Sequence, residues 1–108
     1  MIPISLDALK AAIQFMPLDL ELKQSLIKNS EILIEFRSYL SQKYNVSSSK
    51  AETMIKEHMQ SNFDNKSIDE VSKIAHQYAE KEGFQKSSEL ESAVTELINL
   101  QKRLTGAN

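Results

Sequence analysis

The chain contains no cysteine, so disulfides, thiolate nucleophiles and thiolate metal ligands are all excluded. Its only glycines are Gly83 and Gly106, and its only prolines are Pro3 and Pro17. A phosphate-cradling loop needs glycines clustered within a few residues, and these two cannot form one. Asn-Gly and Asp-Gly pairs are missing too, which removes the strongest short-range hairpin signal. Apolar runs such as Ile32-Leu33-Ile34 fall far short of the roughly 18 residues of a membrane span. The start, MIPISLDALK, lacks the basic region and long apolar run of a secretory signal, so a cytoplasmic location is expected. Neither sign of charge dominates. With 13 basic and 15 acidic residues spread along the chain, no tail or block stands out as a partner footprint. Nucleic-acid affinity leans on many phosphate contacts, so this balance weighs against it.

What is present fits a globular helical protein. At 108 residues the chain has the size of a single domain and can bury a core without staples. Hydrophobic residues make up 41 % and charged residues 26 %, far from the composition of a disordered chain.

The stretch from Leu22 to Tyr44 organises the rest. Leu22, Leu26, Leu33, Phe36, Leu40 and Tyr44 recur at helical spacing, Ile27 and Ile34 form a second row, and Ile32 and Tyr39 a third. A helix apolar over more than half its circumference is covered on several sides, so this one is expected at the centre of the bundle. Asn29-Ser30 in its middle can bond local backbone, which leaves a kink or short break there as the alternative.

The flanking helices carry their own start and stop signals. Ser5 is placed to cap a first helix whose stripe is Leu6, Leu9, Ile13 and Met16, and Pro17 ends it. The central helix then begins between Pro17 and Leu20. After a turn at 45–49, Ser49 and Glu52 have capping-box spacing for a third helix, with Ala51, Met54, Ile55, Met59 and Phe63 inward. Ser61 to Lys66 reads as a loop. Ser67 and Glu70 repeat the capping signature for a fourth helix, whose inner face is Val71, Ile74, Ala75 and Tyr78 and whose end is Gly83. Ser87 or Ser88 caps a fifth, and Gly106 closes it. These signals predict an all-α fold, a compact bundle of four or five helices around a central helix at about 20–44. Shifting the chain by 38 residues pairs Leu33 with Val71, Phe36 with Ile74, Asn45 with Gly83 and Val46 with Phe84. Two stacked helical hairpins would explain that similarity, and so would the small repertoire of cap and turn residues.

Chemistry has few places to sit. His58 falls among Met54, Ile55 and Met59, as a core-edge histidine would, and no Glu-x-x-His or His-x-x-x-His spacing offers a metal site. His76 has Glu80 one helical turn on, a surface contact. No nucleophile–base arrangement is apparent, so catalysis, cofactors and metals are not expected.

Two surfaces remain. On the last helix Leu90, Ala93, Leu97, Leu100 and Leu104 make a seam that Val94 and Ile98 widen. Leu90, Val94, Leu97, Ile98, Leu100 and Leu104 are therefore the candidate interface for a protein partner or self-association. This points to a protein-binding module of regulator, inhibitor or immunity type, which resembles bacterial immunity bundles in size and helix content. Second, Leu40 to Ile55 has a small residue at Ser41, a left-hand-tolerant turn residue at Asn45, an aliphatic Val46, then Ala51 and Met54. Over about twenty residues this resembles the helix-turn-helix element of bacterial DNA-binding regulators, whose second helix enters the major groove. The resemblance implies a DNA-binding regulator using residues 40–56 as the alternative function. Ser48, Ser49, Lys50 and Thr53 would then face bases, while Lys43 and Lys56 would reach phosphates.

Overall fold

Apolar residues three and four apart give a helix one buried stripe, and in this protein five such stripes converge on a shared core. The computed structural model describes residues 6–60 and 67–105, with side chains at 6–59 and 67–100. In chain order the helices are α1 (Leu6–Phe15), α2 (Leu20–Tyr44), α3 (Ser48–Gln60), α4 (Ile68–Lys81) and α5 (Ser87–Thr105). No strand occurs among the described residues, and the fold is an all-α bundle.

α2 is its centre, packing against α1, α3 and α5, while α4 lies on α5 and touches α3. Leu26, Ile32, Leu33, Phe36 and Leu40 of α2 are buried, whereas Tyr44 at its end is exposed. Phe36 is completely enclosed. Its ring meets Tyr78 edge-on at 5.5 Å and Phe84 at 5.0 Å, which ties α2 to α4 and to the α4–α5 turn.

α2 runs through Asn29-Ser30 without a break. The Ser30 hydroxyl donates to the Ile27 carbonyl at 2.7 Å, and the Asn29 amide donates across to Glu96 on α5. Each side chain thus finds a partner that leaves the helix ladder intact.

Two helices end in the same way. Asn45 is left-handed at φ 53°, and Val46 N–H reaches the Ser41 carbonyl at 3.0 Å. Gly83 is left-handed at φ 85°, with Phe84 N–H on the Ala79 carbonyl at 2.9 Å and Gly83 N–H on the Glu80 carbonyl at 3.0 Å. These are the closing bonds of a Schellman end. The 38-residue shift maps Ser41, Asn45 and Val46 onto Ala79, Gly83 and Phe84, so its counterpart in the structure is a shared helix ending.

Helix starts depart from expectation in two places. Lys50 N–H is capped by Ser47 Oγ at 3.1 Å, so Ser47 and not Ser49 caps α3. Glu52 is accordingly free of a capping box at Ser49, and it is buried. α5 begins at Ser87 itself, with the Lys86 carbonyl taking the first helical bond from Leu90 N–H at 2.9 Å. Ser67 caps α4 as expected, accepting Glu70 N–H at 3.2 Å. The expected cap at Ser5, the loop Ser61 to Lys66 with Phe63, the Leu104 side chain and Gly106 lie outside the described residues.

Candidate functional site

The expected interface on α5 is turned inward. Leu90, Val94, Leu97, Ile98 and Leu100 are each at most 5 % exposed, so the seam and its widened flank cover the protein's own core. Leu104 lies among the side chains not described. The reason is geometric: α5 is sandwiched between α2 and α4, so more than one of its faces needs apolar residues.

Part of that surface nevertheless floors a recess. Val94, Leu97 and Ile98, with Leu33 of α2, form the base of an apolar cavity of about 50 Å³. Its walls are Leu6 and Leu9 of α1 and Ile55 and Met59 of α3, with Glu52 and Lys56 at the lining. Small-molecule pockets run to roughly 300–1,000 Å³, so this recess suits the tip of one aliphatic side chain rather than a cofactor.

One wall of the recess is set by a polar network. Arg37 of α2 grips Asp7 of α1 with both terminal nitrogens, at 2.8 and 3.2 Å, and Glu52 of α3 at 2.9 Å. Glu52 also accepts Leu6 N–H at 3.3 Å and pairs with Lys56 at 3.4 Å. Leu6 N–H belongs to the first turn of α1 and has no intrahelical acceptor, so Glu52 supplies one from another helix. The Asp7 hydrogen bond holds the Arg37 guanidinium above its usual range, and Arg37 in turn holds the Asp7 carboxyl below the usual carboxylate range. The Arg37 Nε is buried without an acceptor among the described residues. Nothing in the helical periodicity named Arg37, yet a signal existed. Glu52 sits beside Ala51 on the stripe of α3, and a charge at such a position needs a partner.

The α2–α3 corner keeps the local features of the resemblance. Ser41 is half-buried and donates to the Val46 carbonyl at 2.6 Å, Ala51 is fully buried, and Met54 is half-buried. Ser48, Ser49, Lys50 and Thr53 are all exposed on α3. Thr53 donates to the Ser49 carbonyl at 3.0 Å. The two expected phosphate readers are engaged within the protein: Lys43 contacts the Glu82 carbonyl at 2.8 Å and its carboxylate at 3.2 Å, and Lys56 faces Glu52.

Glu82 gathers a second cluster, which locks the α4–α5 turn to the end of α2. Tyr39 donates to the Glu82 carbonyl at 2.6 Å, and the Tyr44 hydroxyl donates to its carboxylate. Burial pushes the Glu82 carboxyl up, but the Tyr44 and Lys43 donors outweigh it and leave it below its ordinary value. The same hydrogen bond pushes the Tyr44 hydroxyl up to about 12.

The histidines are structural neighbours of this region. His58 is exposed rather than at the core edge, and it stacks on Tyr78 with ring centres 4.0 Å apart. His58 lies on the same face of α3 as Ala51 and Ile55, and there its ring covers that of Tyr78 from the solvent side. His76 makes the expected contact with Glu80 at 3.0 Å and a second, to Glu91 of α5, also at 3.0 Å. No group of three or more His, Cys, Asp or Glu side chains that could hold a metal ion occurs among the described residues.

The chain matches no family model, no curated protein and no solved structure. Among the described residues no helix is long and apolar enough to cross a membrane.

Proposed function

We propose that this chain is a small, non-catalytic, cytoplasmic protein-binding module of regulator or inhibitor type, which receives an aliphatic side chain of a partner protein in the recess between α1 and α3. The observation that carries this reading is the recess itself, apolar in lining and floored by Val94, Leu97 and Ile98. The Arg37 network holds α1 against α3 and so keeps its walls apart at a set distance. A displayed library of amphipathic peptides tests the reading. Enriched peptides are expected to share a leucine, isoleucine or valine anchor and to lose binding to a Met59→Glu variant whose circular dichroism is unchanged. No enrichment, or equal binding to the variant, would overturn it.

A second reading, a helix-turn-helix DNA-binding regulator, is supported by the α2–α3 corner. Ser48, Ser49, Lys50 and Thr53 are each exposed, and Glu52 is turned inward onto Arg37. Anisotropy with a random duplex at low salt separates the two readings. Salt-sensitive binding that weakens in Lys50→Ala would favour DNA.

A further inference from the structure

We propose that the cleft between the first half of α2 and the second half of α5 binds a primary alkylammonium ion. The cleft measures about 230 Å³ and has three aliphatic walls, Leu22, Leu26 and Leu100. Its polar groups are Ser25, Glu96 and Asn99. Among the described residues the Glu96 carboxylate is held through one oxygen: the Ser25 hydroxyl donates to its Oε2 at 3.3 Å, and the Asn29 amide donates to the same oxygen. Asn29 is buried, which anchors that donor, and Ser25 lies one helical turn before it.

Two neutral donors fix the direction of a carboxylate without cancelling its charge. Among the described residues no cationic side chain pairs with Glu96. Glu96 is exposed, and an oriented carboxylate without a cationic partner among the described residues, set beside leucine side chains, suits a cation that carries its own aliphatic tail. The ammonium has three donors to place, and Glu96, the Ser25 oxygen and the Asn99 amide oxygen are the acceptors at hand. A hard metal ion is a poorer match, since calcium and magnesium ask for about six or more oxygen ligands. The cleft and the apolar recess have no lining residue in common, so the two sites are separate.

The same ammonium chemistry occurs on free alkylamines and on lysine side chains, and a titration followed by methyl NMR distinguishes them. Hexylammonium is expected to give saturable shifts of the Leu22, Leu26 and Leu100 methyls. Hexan-1-ol should bind about fivefold more weakly, as should hexylammonium to Glu96→Gln, the scale of one partly exposed ion pair. If Nα-acetyl-lysine N-methylamide binds as tightly as hexylammonium, the ligand is a lysine side chain; if only hexylammonium binds, it is a free amine. Both outcomes uphold the site. Absence of saturable shifts, equal affinity for the alcohol, or an unaffected, folded Glu96→Gln would overturn it. The comparison of amine with alcohol uses the unaltered chain and stands even if the variant fails to fold.

Discussion

Arg37 and Glu52, fifteen residues apart in sequence, meet at 2.9 Å with both side chains only 11 % exposed. This contact joins α2 to α3, and through Asp7 and Leu6 N–H it also holds the start of α1. A charge pair so enclosed behaves unlike a surface one, because removing one partner strands the other out of water.

Glu52→Ala is therefore expected to lower the unfolding free energy by about 2–3 kcal/mol, somewhat less than for a fully enclosed pair because Asp7 remains beside Arg37. Urea denaturation of the variant measures this. A loss below about 1 kcal/mol, the ceiling for exposed pairs, would contradict the enclosed reading.

Gly83 faces a double constraint. Its φ is +85°, and a Cβ there would stand 3.0 Å from the Tyr39 hydroxyl, which is itself held by the Glu82 carbonyl. Gly83→Ala should cost about 1–2 kcal/mol from the backbone conformation alone, and more from the crowding. The crowding part should vanish when Gly83→Ala is made in a Tyr39→Phe background. A double-mutant cycle by thermal melting reads the difference, and strict additivity would count against the contact.

His76 makes stability depend on pH between α4 and α5. Its hydrogen bond to Glu91, and then that to Glu80, raise its pKa above the ordinary 6.5. A group whose folded-state pKa is raised binds its proton more tightly when folded. Its contribution is fully present below about pH 6.5 and is lost as pH rises through the raised value. Denaturation midpoints of the unaltered protein should thus fall across that window relative to those of His76→Gln. Parallel profiles would show that the contact does not matter.

Leu97 and Leu100 test the burial of the α5 seam. Each is 5 % exposed, so Leu97→Glu and Leu100→Glu should both abolish cooperative unfolding. Losing such a leucine costs about 2–5 kcal/mol before the buried carboxylate is counted, against a total stability of about 5–15 kcal/mol for a natural domain. Circular dichroism with light scattering is the measurement. A folded monomer from either variant would show that the seam lies outside the core.

The start of α4 and the ends of α1 and α4 are local chemistry, and so they are legible in neighbouring residues, although at α3 the cap falls to Ser47 rather than Ser49. Ser67 with Glu70, Pro17 after Phe15, and Gly83 at a left-handed position each act within one turn of the chain. The centrality of α2 is also local in origin, because three apolar rows on one helix require cover from several sides. The apolar recess and the ammonium cleft have no such signature. Leu9 and Met59, or Ser25 and Glu96, become neighbours only when separate helices pack. Periodicity assigns residues to a common face but does not name the helix that covers it. For that reason Val94, Leu97 and Ile98 read as a docking surface in one dimension and lie buried in three, while Glu52 turns inward because Arg37, contributed by a different helix, waits there to receive it.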